Sequence, residues 1–304
     1  MRALVTGGAG FIGSYLIREL LQRKFEVVVF DMADYPESLV EVWDKITYVR
    51  GDLGSEADLY RVMMRQGITD VFHLGALLAG PCEDNPIAGF KINFRSTKTL
   101  LDASLSSNVQ RFIFLSSISV FGRDATEPVT DAEVKNPETI YGQTKLAGEH
   151  LLLWYARKHG LDTRALRFTW VFGPGRTNGI TALYSSLLLD AIARGERLEI
   201  PNPDEAGDWL YIDDAIKAIM TLWEAETPTQ RIYNIAGGVH TIRDVVNIAI
   251  KLKPGSQVVF ADQGKNQSPY PSAYDDSVAR TEIGWKPDYS IEDAVKKHLE
   301  IVSI

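Results

Sequence analysis

Two rhythms of apolar and polar positions alternate through the first half of the chain. Short apolar runs rich in β-branched and aromatic residues read as strands: Arg2-Ala-Leu-Val5, Phe25-Glu-Val-Val-Val-Phe30 ending at Asp31, and Ile46-Thr-Tyr-Val-Arg50 leading into Gly51-Asp52-Leu53. Asp70-Val-Phe-His-Leu74, Arg111-Phe-Ile-Phe-Leu115 and Asp162 to Phe168 continue the series. Between them lie stretches with helical spacing: Tyr15 to Gln22, a long one from about Asn85 to Ser107, and another from about Tyr141 to His159. This alternation predicts an α/β protein built on a doubly wound parallel sheet. Gly173-Pro174-Gly175 breaks the pattern, and prolines become denser beyond it (Pro201, Pro203, Pro254, Pro269, Pro271, Pro287). The shift predicts a smaller α/β C-terminal substrate domain. Arg231-Ile-Tyr-Asn-Ile-Ala236 reads as a strand returning to the main sheet. The expected division is therefore 1–170 plus about 208–240 for the first domain, and 171–207 plus 241–304 for the second.

The first strand runs directly into Thr-Gly-Gly-Ala-Gly-Phe-Ile-Gly over residues 6–13. A strand, a turn with glycines at 7, 10 and 13, and a helix form a dinucleotide cradle. Gly7 and Gly10 permit a tight turn and close backbone approach to a pyrophosphate. The helix opening at Phe11 and Ile12 attracts that group, and Gly13 lets the helix pack on the sheet. Asp31, 18 residues after Gly13, ends the second strand where an acid accepts hydrogen bonds from the adenosine ribose and repels a 2′-phosphate. NAD is thus expected rather than NADP; Arg50 and Lys24 do not follow Asp31 closely enough to argue otherwise. Asp52-Leu53 suits either the adenine edge or an ordinary turn.

Net charge is −8 with no basic run, so neither nucleic acid nor an anionic membrane is an expected partner. No apolar run approaches the roughly 20 residues of a membrane span, and the N-terminus reads as a strand rather than a signal peptide. A single cysteine, Cys82, excludes an internal disulfide and a cysteine zinc site and points to a reducing cytoplasm. The five histidines lack metal-ligand spacing, so no metal is expected.

Tyr141-Gly-Gln-Thr-Lys145 sets a phenol and an ammonium four apart, on one helix face. A free phenol titrates near about 10 and is a poor base at neutral pH. An ammonium about 4 Å away contributes on the order of 4 kcal/mol at an effective dielectric near 20, enough to lower the phenol by up to roughly three units before the ammonium's own desolvation is counted. A cationic nicotinamide nearby pushes the same way. Such a tyrosine takes the proton of a secondary alcohol as hydride leaves its carbon. Phe114-Leu-Ser-Ser-Ile-Ser-Val-Phe-Gly122 places hydroxyls at the carboxyl end of the fifth strand, where open α/β sheets bind ligands. A serine there can hold the reacting oxygen as alcohol and as carbonyl, because it both donates and accepts.

These motifs resemble an extended short-chain dehydrogenase/reductase of the NAD-dependent epimerase/dehydratase family, with its Rossmann sheet. The resemblance spans nearly the whole chain through the 6–13 loop, Asp31, Asp52-Leu53, His73-Leu-Gly-Ala76, Asn93, Ser116-Ser117, Tyr141 to Lys145, Gly173-Pro174 and Tyr211-Ile-Asp-Asp214. It implies Ser117 as partner of the substrate oxygen, Tyr141 as acid/base, and Lys145 as ribose anchor and pKa modulator. It places Leu74, Gly75 and Ala76 on the nicotinamide side, gives Asn93 a mainly structural part there, and sets Leu78 and Ser119 toward the substrate. It further implies a homodimer through the helices near 85–107 and 141–159.

Departures from the pattern narrow the activity. Dehydratases of this family carry an Asp-Glu pair where Ile118-Ser119 stands here, so dehydration is not expected. Nucleotide-sugar epimerases commonly hold the diphosphate with an Asn where this chain has Trp170, an Arg where it has Gly207, and another Arg absent from Ser268-Pro-Tyr-Pro-Ser-Ala-Tyr274. Each charged hydrogen bond to phosphate contributes about 1.5–3 kcal/mol. Arg176 or Arg243 would have to replace them. Several runs, including Ser116 to Gly122 and Tyr270 to Arg280, are instead similar to the short-chain-type L-threonine dehydrogenases. Gly175-Arg-Thr-Asn-Gly-Ile-Thr181 then stands for the substrate loop, with Thr177 in it and Arg176 either a carboxylate clamp or a solvated cation. Trp170 and Trp209 either wall the pocket or fill core. The expected function is NAD-dependent oxidation of a secondary alcohol in a small polar substrate: a hydroxy-acid, a threonine-like compound or a sugar acid. The alternative is an NAD-retaining nucleotide-sugar epimerase resembling UDP-glucose 4-epimerase. A non-catalytic dinucleotide sensor would require a broken catalytic set, and all three residues are present.

Overall fold

In the computed structural model, which describes residues 1–261, 268 and 270–303, the strand–helix alternation of the first half becomes one parallel sheet. Its strands are β1 (Arg2–Thr6), β2 (Glu26–Asp31), β3 (Ile46–Arg50), β4 (Asp70–His73), β5 (Arg111–Ser117) and β6 (Asp162–Phe168). Two shorter sheets draw on β7 (Trp170–Phe172), β8 (Leu198–Pro201) and β9 (Ala206–Tyr211). After these come β10 (Ile232–Ile235), β11 (Val239–Thr241) and β12 (Val258–Ala261). The main sheet has the order β10-β6-β5-β4-β1-β2-β3. The order reverses between β1 and β4, which opens a crevice at their carboxyl ends.

Period-2 side-chain alternation explains why these runs are apolar throughout. Ala3 and Val5 pack into one buried layer and Leu4 into the other, and Val27, Val28 and Val29 divide the same way. β5 runs two residues beyond its apolar stretch, so Ser116 and Ser117 are strand residues paired to Arg167 and Phe168. The Arg231–Ala236 run does return to the sheet, as β10 beside β6. Pro269, part of the Ser268–Tyr274 run, lies outside the described residues.

One element differs from its expected form. The stretch expected as a single helix from 85 to 107 is an α-turn at Pro86–Gly89, a π-helical turn at Phe90–Arg95 and an α-helix at Ser96–Ser106. Pro86 occupies the first position after the Asn85 cap. The wider turn carries Asn93, whose amide reaches the loop after β4; such turns concentrate at functional sites. Beyond residue 170, β7 pairs with β9 and β9 with β11, while β8 pairs with β12. Gly207 on β9 lies under the Trp170 ring of β7, whose carbons a Cβ at 207 would approach to 2.5 Å.

A polar row ties β1, β4 and the Ser96–Ser106 helix together inside the sheet. His73 accepts at Nδ1 from Thr6 Oγ1 at 2.7 Å and donates from Nε2 to Thr97 Oγ1 at 3.0 Å. Thr97 donates onward to the Asn93 carbonyl at 2.6 Å, and Thr6 accepts from the Gly75 amide at 3.3 Å. These directions close with one neutral tautomer. Burial, with the nearby Lys145 charge, lowers the His73 pKa to about 3.

His73→Phe should therefore destabilise the fold by about 1–3 kcal/mol at pH 7.5, seen as a lower urea midpoint with unchanged slope. The unfolded histidine titrates near about 6.5 and the folded one far lower, so the unfolded state binds the extra proton. Wild-type stability should fall on acidification below that value, and the gap to the variant should narrow by pH 4.5. A constant gap contradicts the neutral, buried histidine.

Candidate active site

The crevice is lined first by the 6–13 loop. Gly7 has φ +67°, and a Cβ on it would lie 2.5 Å from the Gly75 Cα. The exits of β1 and β4 can touch only because both positions lack side chains. A Cβ on Gly13 would lie 2.4 Å from the Gly7 carbonyl, so the Phe11–Gln22 helix seats directly on the loop. Gly10 is exposed and precedes that helix, which has no side-chain cap and no acid in its first turn. Its first amides, at Phe11 and Ile12, thus suit an anion. Phe11 packs edge-on to Tyr15, whose hydroxyl donates to the Pro174 carbonyl at 3.0 Å.

Asp31 stands across this loop, accepting from Ala9 N at 3.0 Å and Ala33 N at 3.2 Å. The carboxylate is oriented yet keeps lone pairs for a diol. Arg50, in register with Asp31, is drawn to Asp34 at 2.9 Å and donates to the Met32 carbonyl. Asp52 is exposed and caps its own turn, accepting from Gly54 N at 2.7 Å, while Leu53 lies against Gly75. A Cβ-free cradle, an uncapped helix start and an oriented strand-end acid together fit a dinucleotide.

The second wall is the loop from Leu74 to Leu78. Asn93 binds it through both ends of the Leu77 peptide, accepting from N at 2.7 Å and donating to O at 2.9 Å. Its other amide hydrogen goes to Thr144 Oγ1 at 3.0 Å, between Tyr141 and Lys145. Asn93 is buried and fully engaged, so its part is to lock Gly75 and Ala76 to the Ile140–His159 helix.

That helix delivers the chemistry. Lys145 is 3% exposed, donates from Nζ to the Leu115 carbonyl at 2.7 Å and sits 4.8 Å from the Phe114 ring centre and 5.6 Å from that of Tyr141. Burial lowers its pKa to about 8, with Cys82 and Glu149 acting in the opposite direction. The Tyr141 phenol lies within the influence of the Ser117 hydroxyl, which favours its ionised form. The phenol pKa is raised rather than lowered: burial outweighs the opposing Ser117 hydroxyl and Arg176 charge, with Tyr270 and Cys82 adding to the rise. The lowering expected from the Tyr–Lys spacing is therefore outweighed by burial. Ammonium and phenol are both desolvated, and the nitrogen is turned toward a carbonyl.

In the loop after β7, Arg176 is half-buried and its charge favours the ionised form of Tyr141. It donates to the Val171 carbonyl and, at 2.5 Å, to Thr181 Oγ1. Leu78 is 39% exposed beside it across Gly179, and Thr177 is exposed in the same loop. Ser119 is buried; its amide donates to Ser117 Oγ at 3.2 Å, which aims that hydroxyl. Trp170 is 6% exposed against Trp209, within the core rather than open to the crevice. Two groups that raise the Tyr141 pKa have no role in the sequence pattern: Tyr270, and Cys82, whose thiol donates to the Leu77 carbonyl. The Tyr270-Pro-Ser-Ala-Tyr274 run was the signal for the first; nothing local marks the second. Among the described residues no cluster of three or more metal-ligating side chains occurs, and no helix is long and apolar enough to cross a membrane.

The model of the NAD dependent epimerase/dehydratase family matches residues 3–236. The mitochondrial L-threonine 3-dehydrogenase of Bos taurus is 29% identical, over 97% of this chain and 80% of its own length. A GalE-like L-threonine dehydrogenase from Cupriavidus necator, solved in its holo form, superposes with a TM-score of 0.90 at 29% identity, covering 98% of this chain and 99% of that one. The UDP-glucose 4-epimerase of Thermotoga maritima, solved with UDP-glucose, gives 0.87 at 26% identity, covering 99% and 98%.

Removing the strand-end acid tests the cradle. Asp31→Ser should raise the KM for NAD by about tenfold or more and allow NADP to be used, since Arg50 stands in the next strand. Initial rates with both coenzymes measure this; an unchanged preference places the ribose elsewhere.

Proposed function

The chain belongs to the NAD-dependent epimerase/dehydratase family, and from that premise we propose that it is a dehydrogenase oxidising the secondary alcohol of a small polar substrate. A hydroxy-acid, a threonine-like compound or a sugar acid fits, with NADH released at each turnover. The observation that carries the reading is buried Lys145, held by the Leu115 carbonyl with its nitrogen 5.6 Å from the Tyr141 ring centre, with Ser117 at the end of the same strand and the Ser117 hydroxyl and Arg176 charge both favouring the phenolate.

Bound NAD supplies the hydride acceptor and a positive charge. Ser117 holds the substrate hydroxyl and Tyr141 takes its proton. The carbinol carbon loses hydride and becomes a carbonyl, still held by Ser117 as donor. Lys145 and Arg176 stabilise the phenolate that this requires. Arg176 also suits a substrate carboxylate, for which its planar fork is matched. Trp170 over Gly207 supports a small substrate: the ring occupies the space a longer side chain at 207 would need, at two positions where nucleotide-sugar epimerases commonly hold diphosphate. Arg243, the other candidate phosphate ligand, is paired with Asp204 at 2.6 Å.

We further propose a homodimer built on the Ile140–His159 helix and the segment from Pro86 to Ser106. Leu153 and Trp154 are 41% and 43% exposed there, and Phe90 is 41% exposed nearby. A shallow groove beside them is lined by Lys98, Asp102, Leu151 and Tyr155. Such an apolar strip on a helix pair suits a second copy presenting the same strip.

With excess NAD and a panel of hydroxy-acids, sugar acids and threonine, at least one compound should generate reduced nicotinamide absorbance. A silent panel together with interconversion of UDP-glucose and UDP-galactose would overturn the reading in favour of the epimerase. Tyr141→Phe should lower turnover by about 10²–10⁴-fold with NAD affinity nearly unchanged. Trp154→Glu should turn a dimer into a monomer by sedimentation equilibrium, and a monomeric wild type rejects this interface.

A further inference from the structure

Three consecutive residues at the end of β5 each hold a different part of the acid/base group. The Leu115 carbonyl accepts from Lys145, and the Ser117 hydroxyl favours the ionised form of Tyr141. Between them, Ser116 Oγ donates to Glu149 Oε1 at 2.6 Å. Glu149 lies one helical turn beyond Lys145 and is 1% exposed. Arg167, the register neighbour of Ser116 on β6, grips the same carboxylate through Nε and Nη2, both at 2.8 Å. Arg167 is itself held by its own register neighbour, Asn234 on β10, at 3.3 Å and by Asp131 at 3.6 Å. A single carboxylate from the helix is thus inserted into a row of side chains spanning three strands.

We infer that Ser116, Glu149 and Arg167 are positioning residues for the reaction. Their clamp sets the helix carrying Tyr141 and Lys145 against the strand end that carries their partners. The inference rests on the reading of Tyr141 as the acid/base group. Stability alone is a poor account of the pair, since a buried ion pair replaced by apolar side chains is often neutral or stabilising. Alignment is the better account, because a bidentate, doubly anchored carboxylate fixes both the sliding and the tilt of a helix against a sheet.

Glu149 has an electrostatic part as well. The groups facing Lys145 are His73 from β4, Cys82 from the Ala79–Asp84 helix, Phe114 and the Leu115 carbonyl from β5, and Tyr141 and Glu149 from its own helix. His73 is neutral, and burial pushes the Cys82 thiol up. Among these described groups the carboxylate of Glu149 is the one ion-paired acid, and it favours the protonated amine.

The test uses the alcohol identified in the NAD panel. Ser116→Ala should lower kcat by about 10–100-fold while the KM for NAD stays within about twofold, and Ser116→Thr should restore most of it. With NAD bound, the tyrosinate absorbance of Tyr141, read as the difference from a Tyr141→Phe background, should move to higher pH in Ser116→Ala. Glu149→Gln keeps an acceptor for Ser116 but loses the charge, so the alkaline limb of its kcat profile should move to lower pH. Ser104→Ala is the control, since this buried serine donates to the Leu100 carbonyl away from the site. Should Glu149→Gln not fold, Ser116→Ala alone decides. Ser116→Ala matching Ser104→Ala in kcat and in tyrosinate midpoint, while Tyr141→Phe is inactive, overturns the clamp alone. A fully active Tyr141→Phe overturns the underlying reading and the clamp with it.

Discussion

An ammonium can lie inside an α/β layer only where its protons have acceptors and its charge has company, and this requirement on Lys145 organises the site. Its nitrogen is fixed by the Leu115 carbonyl, flanked by the faces of Phe114 and Tyr141, and supported by the charge of Glu149. Meeting those needs places the helix, and the helix places Tyr141 against Ser117. Burial also makes both partners reluctant to charge: the amine is lowered to about 8 and the phenol raised. The cations of the pocket, Lys145 and Arg176, are thus outweighed at Tyr141 by burial. In this account the base forms when the positively charged coenzyme is present, which couples proton removal to the presence of a hydride acceptor.

Close backbone packing does the corresponding work on the coenzyme side. Gly7 against Gly75 and Gly13 against Gly7 bring β1, β4 and the first helix together more tightly than any side chain allows. The Thr6–His73–Thr97 row and the Asn93 amide fill the polar needs created by that closeness. The 6–13 loop, the 74–78 loop and the Ile140–His159 helix consequently form one hydrogen-bonded body rather than three independent walls.

Much of this was legible in the chain itself, and the legible part shares a physical cause. Parallel strands buried on both faces must be apolar throughout, so β2, β3 and β6 appear within a residue of where hydrophobicity places them. The glycine spacing and the Tyr–Lys interval are local, and each can be read without knowing the rest of the fold. What was not legible depends on long-range contact. The π-helical turn at Phe90–Arg95 arises where Asn93 reaches Leu77, and no periodicity announces it. The pairing of β7 with β9, and the seat of Trp170 over Gly207, join segments more than thirty residues apart. The direction of the Tyr141 shift depends on long-range packing as well: four-residue spacing shows that two groups share a face, while the burial that outweighs the charges around it is set by the elements packed against that face.

The central claim is that Tyr141 faces the reactive carbon of the coenzyme across a space admitting one carbinol. A crystal structure of the complex with NAD and the substrate identified by the panel tests it most directly. The account predicts the substrate hydroxyl within hydrogen-bond reach of both Tyr141 and Ser117, and its carbinol carbon about 3–3.5 Å from the nicotinamide carbon that receives hydride. A complex that reduces NAD in the crystal while the Tyr141 hydroxyl points away from the bound alcohol would contradict it.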